Sequence, residues 1–149
     1  MLRFKNILLG IVVLSLAVNI SGSQAYGWNW DISSFKSDIK IENNSSITIK
    51  ETIVADFSRE QHHGIVRMVP LRYKDNFSNS LNLRFQLLSI TDENGKAWTF
   101  SESRQGEYLE LQIGDATKYL QAPTTFIINY QIQRAITSFD DHDELYWNS

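Results

Sequence analysis

From position 38 onward, apolar and polar residues alternate with a period of two. Ile39 and Ile41 alternate with Lys40 and Glu42, and after Asn43-Asn44-Ser45-Ser46 the series Ile47, Ile49, Glu51, Ile53, Ala55, Phe57 resumes. Residues two apart on a strand share a face, so this pattern predicts two strands joined by an Asn/Ser turn. Leu81, Leu83, Phe85 and Leu87 repeat it against Asn82, Arg84 and Gln86. Ile90 to Trp98 surrounds Asp92-Glu93-Asn94-Gly95, and Asn-Gly accepts the positive φ of a tight turn, which predicts a hairpin. Tyr108 to Ile113 and Thr124 to Ile136 predict two more half-buried strands, with Gly114-Asp115 closing the first and Ala122-Pro123 separating them. Only Ala116 to Leu120 has room for a helical turn. Strands at near-regular spacing, without a long amphipathic helix, predict an all-β fold. Its natural form is an antiparallel β-sandwich, because a one-faced sheet must bury its apolar side against a second layer.

The amino terminus follows another pattern. Arg3 and Lys5 precede an apolar run from Ile7 to Val18, and Ser23-Gln24-Ala25 forms a small-residue exit. That is the layout of a signal peptide over residues 1–25, leaving an exported domain over 26–149. The run is shorter than the ~20 apolar residues that cross a bilayer. Of the 14 Lys and Arg residues two lie in this segment, so the remainder carries 12 basic against 17 acidic side chains, a net charge of −5. A nucleic-acid partner is not expected, since phosphate binding needs clustered cations. With no cysteine, disulfides, thiolate catalysis and Cys-ligated zinc are excluded, and hydrophobic burial must hold the fold.

Two stretches carry the candidate chemistry. In QHHGIVRMVPLRY, residues 61–73, Ile65, Arg67 and Val69 share one strand face and Val66 and Met68 the other, so a cation sits among apolar neighbours on either choice and demands a counter-charge. Gly64 supplies backbone freedom, and Pro70 should end ladder pairing or mark a sheet edge. In FDDHDELYWNS, residues 139–149, Asp140, Asp141, Asp143 and Glu144 crowd together beside aromatics. Carboxylates ~7 Å apart at a dielectric near 20 repel by about 2 kcal/mol per pair. If 143–148 is a strand, Asp143 shares a face with Leu145 and Trp147, and Glu144 with Tyr146. Arg67 is the preferred counter-ion of Asp143 or Glu144, because a guanidinium pairs with carboxylate in a planar, bidentate fork; the alternative is a solvated acidic loop. Such a bridge would latch the last strand onto an earlier one.

Other chemistries fit less well. The acidic run lacks the D-x-D-x-D-G calcium loop, and His62, His63 and His142 lack the HExxH spacing of a helical zinc pair, so no metal and no cofactor is expected. No GxSxG elbow is present, and no catalytic residue is assigned. Trp28, Trp30, Trp98 and Trp147 offer a sugar-stacking platform only if they escape the core.

The two stretches in this order, with Trp30-Asp31-Ile32, Glu51-Thr52-Ile53, HGIVRMVP, Gly114-Asp115, FIINYQI and DELYWN, resemble the amino-terminal domain of the YciQ-like family of predicted bacterial membrane proteins, whose function is unknown. The resemblance implies a β-rich domain outside the cytoplasmic membrane. It also implies that the chain is a fragment, or an early-terminated relative, of a longer protein whose membrane-spanning segments follow Tyr146-Trp147-Asn148. Neither an activity nor a ligand comes with it. The expectation is a non-catalytic extracytoplasmic sensing or interaction domain, associated with the membrane through its signal segment or missing C-terminal helices. Its partner would be a protein or cell-envelope ligand met by His62, His63 and Trp147. The alternatives are a secreted metal-dependent hydrolase using His62, His63, Asp141 and Asp143, or a carbohydrate-binding module.

Overall fold

The structure is a computed structural model that describes residues 29–74, 80–145 and 147. The signal-peptide expectation and Trp28 lie outside the described residues, as do Tyr146 and Asn148. The described residues form strands without helices. They are β1 (Asp31–Ile41), β2 (Ile47–Asp56), β3 (Gly64–Pro70), β4 (Arg72–Lys74), β5 (Ser80–Asn82), β6 (Arg84–Thr91), β7 (Phe100–Gln105), β8 (Tyr108–Gly114), β9 (Pro123–Gln133), β10 (Ile136–Ser138) and β11 (Asp143–Leu145). One antiparallel sheet has the order β1-β2-β9-β6 and a second the order β3-β8-β7, while β4-β5 and β10-β11 make two short ribbons.

The fold is the antiparallel β-sandwich that the alternation predicts. The inward series of β2 (Ile47, Ile49, Glu51, Ile53, Ala55) and of β9 (Phe126, Ile128, Tyr130, Ile132) is buried. From the second sheet Ile65, Val69, Leu111 and Ile113 join the same core cluster. Each such aliphatic side chain contributes about 1.5–3 kcal/mol relative to exposure. The Asn/Ser turn forms between β1 and β2, where Asn44 Oδ1 accepts from the Ser46 amide at 3.1 Å and from its hydroxyl at 2.7 Å. β1 itself starts earlier than the alternation suggests.

Three local expectations change. The Asp92–Gly95 turn forms, with Gly95 at φ 80°, but its return limb makes only the bridge of Thr91 to Ala97. Trp98 explains the departure: its ring stacks 4.9 Å from Phe126 and its Nε1 donates to the Thr125 carbonyl at 3.3 Å. The chain is thereby pinned between the layers and re-emerges as β7 in the other sheet. The long 124–136 strand breaks at Arg134, with φ 66°, and resumes as β10. Residues 116–120 form no helix, because the Asp115 carboxylate ties down the Thr117 amide and hydroxyl at 2.9 and 2.6 Å. Leu120 then pairs with His62.

Gly64 and Gly114 face each other across the β3–β8 ladder. A Cβ on Gly64 would collide with the Ile113 carbonyl oxygen, and one on Gly114 with that of His63, so neither strand can give way. Gly64→Ala is therefore expected to lower the free energy of urea unfolding by about 1–3 kcal/mol, measured at an unchanged m-value.

Candidate functional site

Arg67 does point inward from β3, as the face it shares with Ile65 and Val69 requires. Its carboxylate, however, is Glu51 on β2, not Asp143 or Glu144. Arg67 Nε donates to Glu51 Oε2 at 2.8 Å and Nη2 to Oε1 at 2.7 Å, while Nη1 donates to the Met68 carbonyl at 2.7 Å. Tyr130 on β9 donates its hydroxyl to the same Glu51 Oε1 at 2.6 Å. Glu51 is wholly buried, and the Arg67 side chain is 17% exposed. The guanidinium lies 5.8 Å above the Phe35 ring of β1. Phe85 and Trp147 flank Tyr130 at 5.1 and 5.8 Å.

The reason for the correction is positional. Glu51 occupies an inward place in the β2 series, so folding carries it into the core, where only a charge from the opposing sheet can reach it. The terminal acids lie elsewhere, on and beside the β10–β11 ribbon. Asp143 is exposed. His142, not Arg67, relieves their repulsion: it contacts Asp141 at 2.7 Å and Glu144 at 3.2 Å and stacks on Phe139. Those contacts, Asp141 first, raise the His142 pKa above the ordinary imidazole value.

His62 and His63 point apart. The His62 ring packs among Trp30 and Phe57, at 5.4 and 5.5 Å. The His63 ring lies 4.1 Å from Tyr119, with Nδ1 2.8 Å from the Lys118 carbonyl. Both line an open cleft of about 510 Å³ together with Gly64, Ser101, Gln112 and Asp115. Lys118 and then Thr117 hold the Asp115 carboxyl well below the usual carboxylate range. His142 lies apart from the other two histidines, and among the described residues no three His, Asp or Glu side chains converge on a point that would hold a metal. Trp147 is half-buried against Tyr73 and Tyr130. Trp30 and Trp98 pack against the core as well, so the described tryptophans form no sugar-stacking row.

Sequence reasoning missed Glu51 and Tyr130 as site residues. Both were marked by phase, a charged and a hydroxylated side chain at inward positions of otherwise apolar series.

An all-β sandwich whose two layers are joined by one buried, bidentate ion pair defines the class of this domain. The chain belongs to the family described as Predicted membrane protein (DUF2207) N-terminal domain, which matches residues 31–149. No curated protein and no solved structure matches it. Among the described residues no helix is long and apolar enough to cross a membrane.

Burial disfavours the Arg67 charge, but Glu51 outweighs it and holds the guanidinium above its ordinary pKa. Burial first, and the Glu51 charge second, push the Tyr130 phenol well above its usual value. A folded-state pKa raised above the unfolded one gives stability that is complete below the unfolded pKa, about 10 for tyrosine, and is lost as pH rises beyond it. Unfolding free energy is therefore expected to fall above about pH 10 by up to about 1.4 kcal/mol per pH unit through this group. Chemical denaturation across pH 9 to 11 should show a shallower decline in Tyr130→Phe.

Proposed function

We propose that this chain is a non-catalytic interaction or sensing domain displayed on the outer side of the membrane to which its family is assigned. One observation carries the reading: the acid, base and hydroxyl groups that meet at Glu51, Arg67 and Tyr130 satisfy one another inside the core. Hydrolysis needs an acid or base within reach of substrate, and this set is shut between the sheets. The His62–His63 cleft and the apolar row of the β1 edge face outward and offer binding surface. The arrangement of Arg3, Lys5 and the run Ile7 to Val18 supports export.

The rival reading, a metal-dependent hydrolase, draws on His62, His63, Asp141 and Asp143, which the fold distributes over separate regions. Two measurements on the full chain test the proposal. Alkaline phosphatase fused after Ser149 should be active in intact cells, because that enzyme works only after export. A broad hydrolase screen should give no turnover above a protein-free blank. Chelator-sensitive hydrolysis, or a phosphatase fusion that accumulates but is inactive in intact cells, would overturn it.

A further inference from the structure

Strand β1 is the outer strand of its sheet, and its eleven residues are almost all exposed. It pairs with β2 so that Phe35 lies opposite Ile53, Ser37 opposite Glu51, Ile39 opposite Ile49 and Ile41 opposite Ile47. Those β2 residues are buried, so β1 continues the core-facing side of the sheet beyond the cover of the second layer. Phe35, Ile39 and Ile41 remain 44%, 43% and 60% exposed there, and Ile32, at the same side before the bulge, 52%. The opposite face carries Lys36, Asp38 and Lys40, with Lys36 bonded to Asp38 at 2.8 Å within the strand. The edge strand β7 differs: its sequence FSESRQ offers one large apolar residue, and edges are commonly guarded in this way against pairing.

We propose that β1 pairs antiparallel with β1 of a second copy of this chain, about a twofold axis through Ser37, joining two four-stranded sheets edge to edge. The inference rests on the interaction-domain reading above and names its partner. The sequence of β1 is self-complementary about that residue. Antiparallel neighbours point to the same face, so Phe35 meets the partner's Ile39 on the apolar side and Lys36 meets the partner's Asp38 on the polar side. A twofold axis repeats both contacts, as an isologous interface requires. Shifting the register by two residues sets Lys36 against the partner's Lys36, or Asp38 against the partner's Asp38, and like charges directly opposite are unfavourable. A register centred on Ile39 keeps only Ser37 to Ile41 of the strand in the overlap. The bulge at Ile32/Ser34 ends regular pairing at the other end and leaves Ser34 to Lys40 as the matched stretch. Lys36 and Asp38 thus select the register, exchanging their bond within one strand for two between copies.

The absence of cysteine makes a direct test possible. Residues directly opposite in an antiparallel ladder have Cα atoms about 4.5–5.5 Å apart, within the reach of a disulfide. The full chain carrying Ser37→Cys, purified in mild non-ionic detergent and oxidised, should run as a covalent dimer at least tenfold more abundant than with Ser103→Cys on β7. Sedimentation velocity of the cysteine-free chain should show a dimer, weakened at least tenfold by Lys36→Asp and restored by Lys36→Asp with Asp38→Lys. Equal cross-linking at the two cysteine positions, or a dimer indifferent to the charge exchange, would overturn the proposal. A monomer that is still exported and still without turnover would also overturn it while leaving the interaction-domain reading intact.

Discussion

A carboxylate with no exposed surface is the constraint around which this domain is arranged. Removing an ionised Glu from water costs several kcal/mol even after relaxation, and only a well-placed, fully hydrogen-bonded counter-charge offsets that. Glu51 receives three donors, two from Arg67 and one from Tyr130, so its desolvation is met by directed bonds and not by attraction at a distance. Because Glu51 and Tyr130 belong to one sheet and Arg67 to the other, the two layers can slide little without breaking a bidentate fork. Aliphatic contacts alone would tolerate many offsets of one sheet over the other. The ion pair fixes one of them.

That fixed offset explains features at some distance from it. With β3 held over β2, the guanidinium lies over one face of Phe35, yet the β1 apolar row, Phe35 included, extends past the second sheet and stays exposed. Trp147 packs against the Tyr130 ring, which holds this part of the chain on the body through aromatic contact. The terminal acids find their own solution at the surface, around His142. A sealed core set gives registry, while His142 offsets part of the acidic charge on the exposed ribbon.

Much of this was legible in the sequence. Period-two alternation identified β2, β8 and β9 with their inward faces, and Pro70 marked the end of β3. Arg67 shares a face with Ile65 and Val69, but Val66 and Met68 make the other face equally apolar, so alternation alone does not say which one turns inward. The choice of its counter-ion went astray because clustered acids stand out, whereas Glu51 is a single acid whose only signal is its phase between Ile49 and Ile53. Periodicity tells which face a residue occupies but not which strand of the other sheet will lie above it. The same limit applies at Trp98: the Asn-Gly turn is a local property and forms as expected, but the crossing into the second sheet depends on Phe126, distant in sequence. Glycines 64 and 114 could be read as punctuation, while the close approach of the two strands they permit emerges only once β3 and β8 are paired.

The central claim is that Glu51 and Arg67 act as one unit between the layers. A double-mutant cycle with Glu51→Leu and Arg67→Met, made in a Tyr130→Phe chain so that no hydroxyl is orphaned, tests it most directly by urea denaturation. Each single change should cost about 3–5 kcal/mol by stranding a buried charge, and the pair together should cost much less than their sum. Losses that add to within about 0.5 kcal/mol would contradict the account.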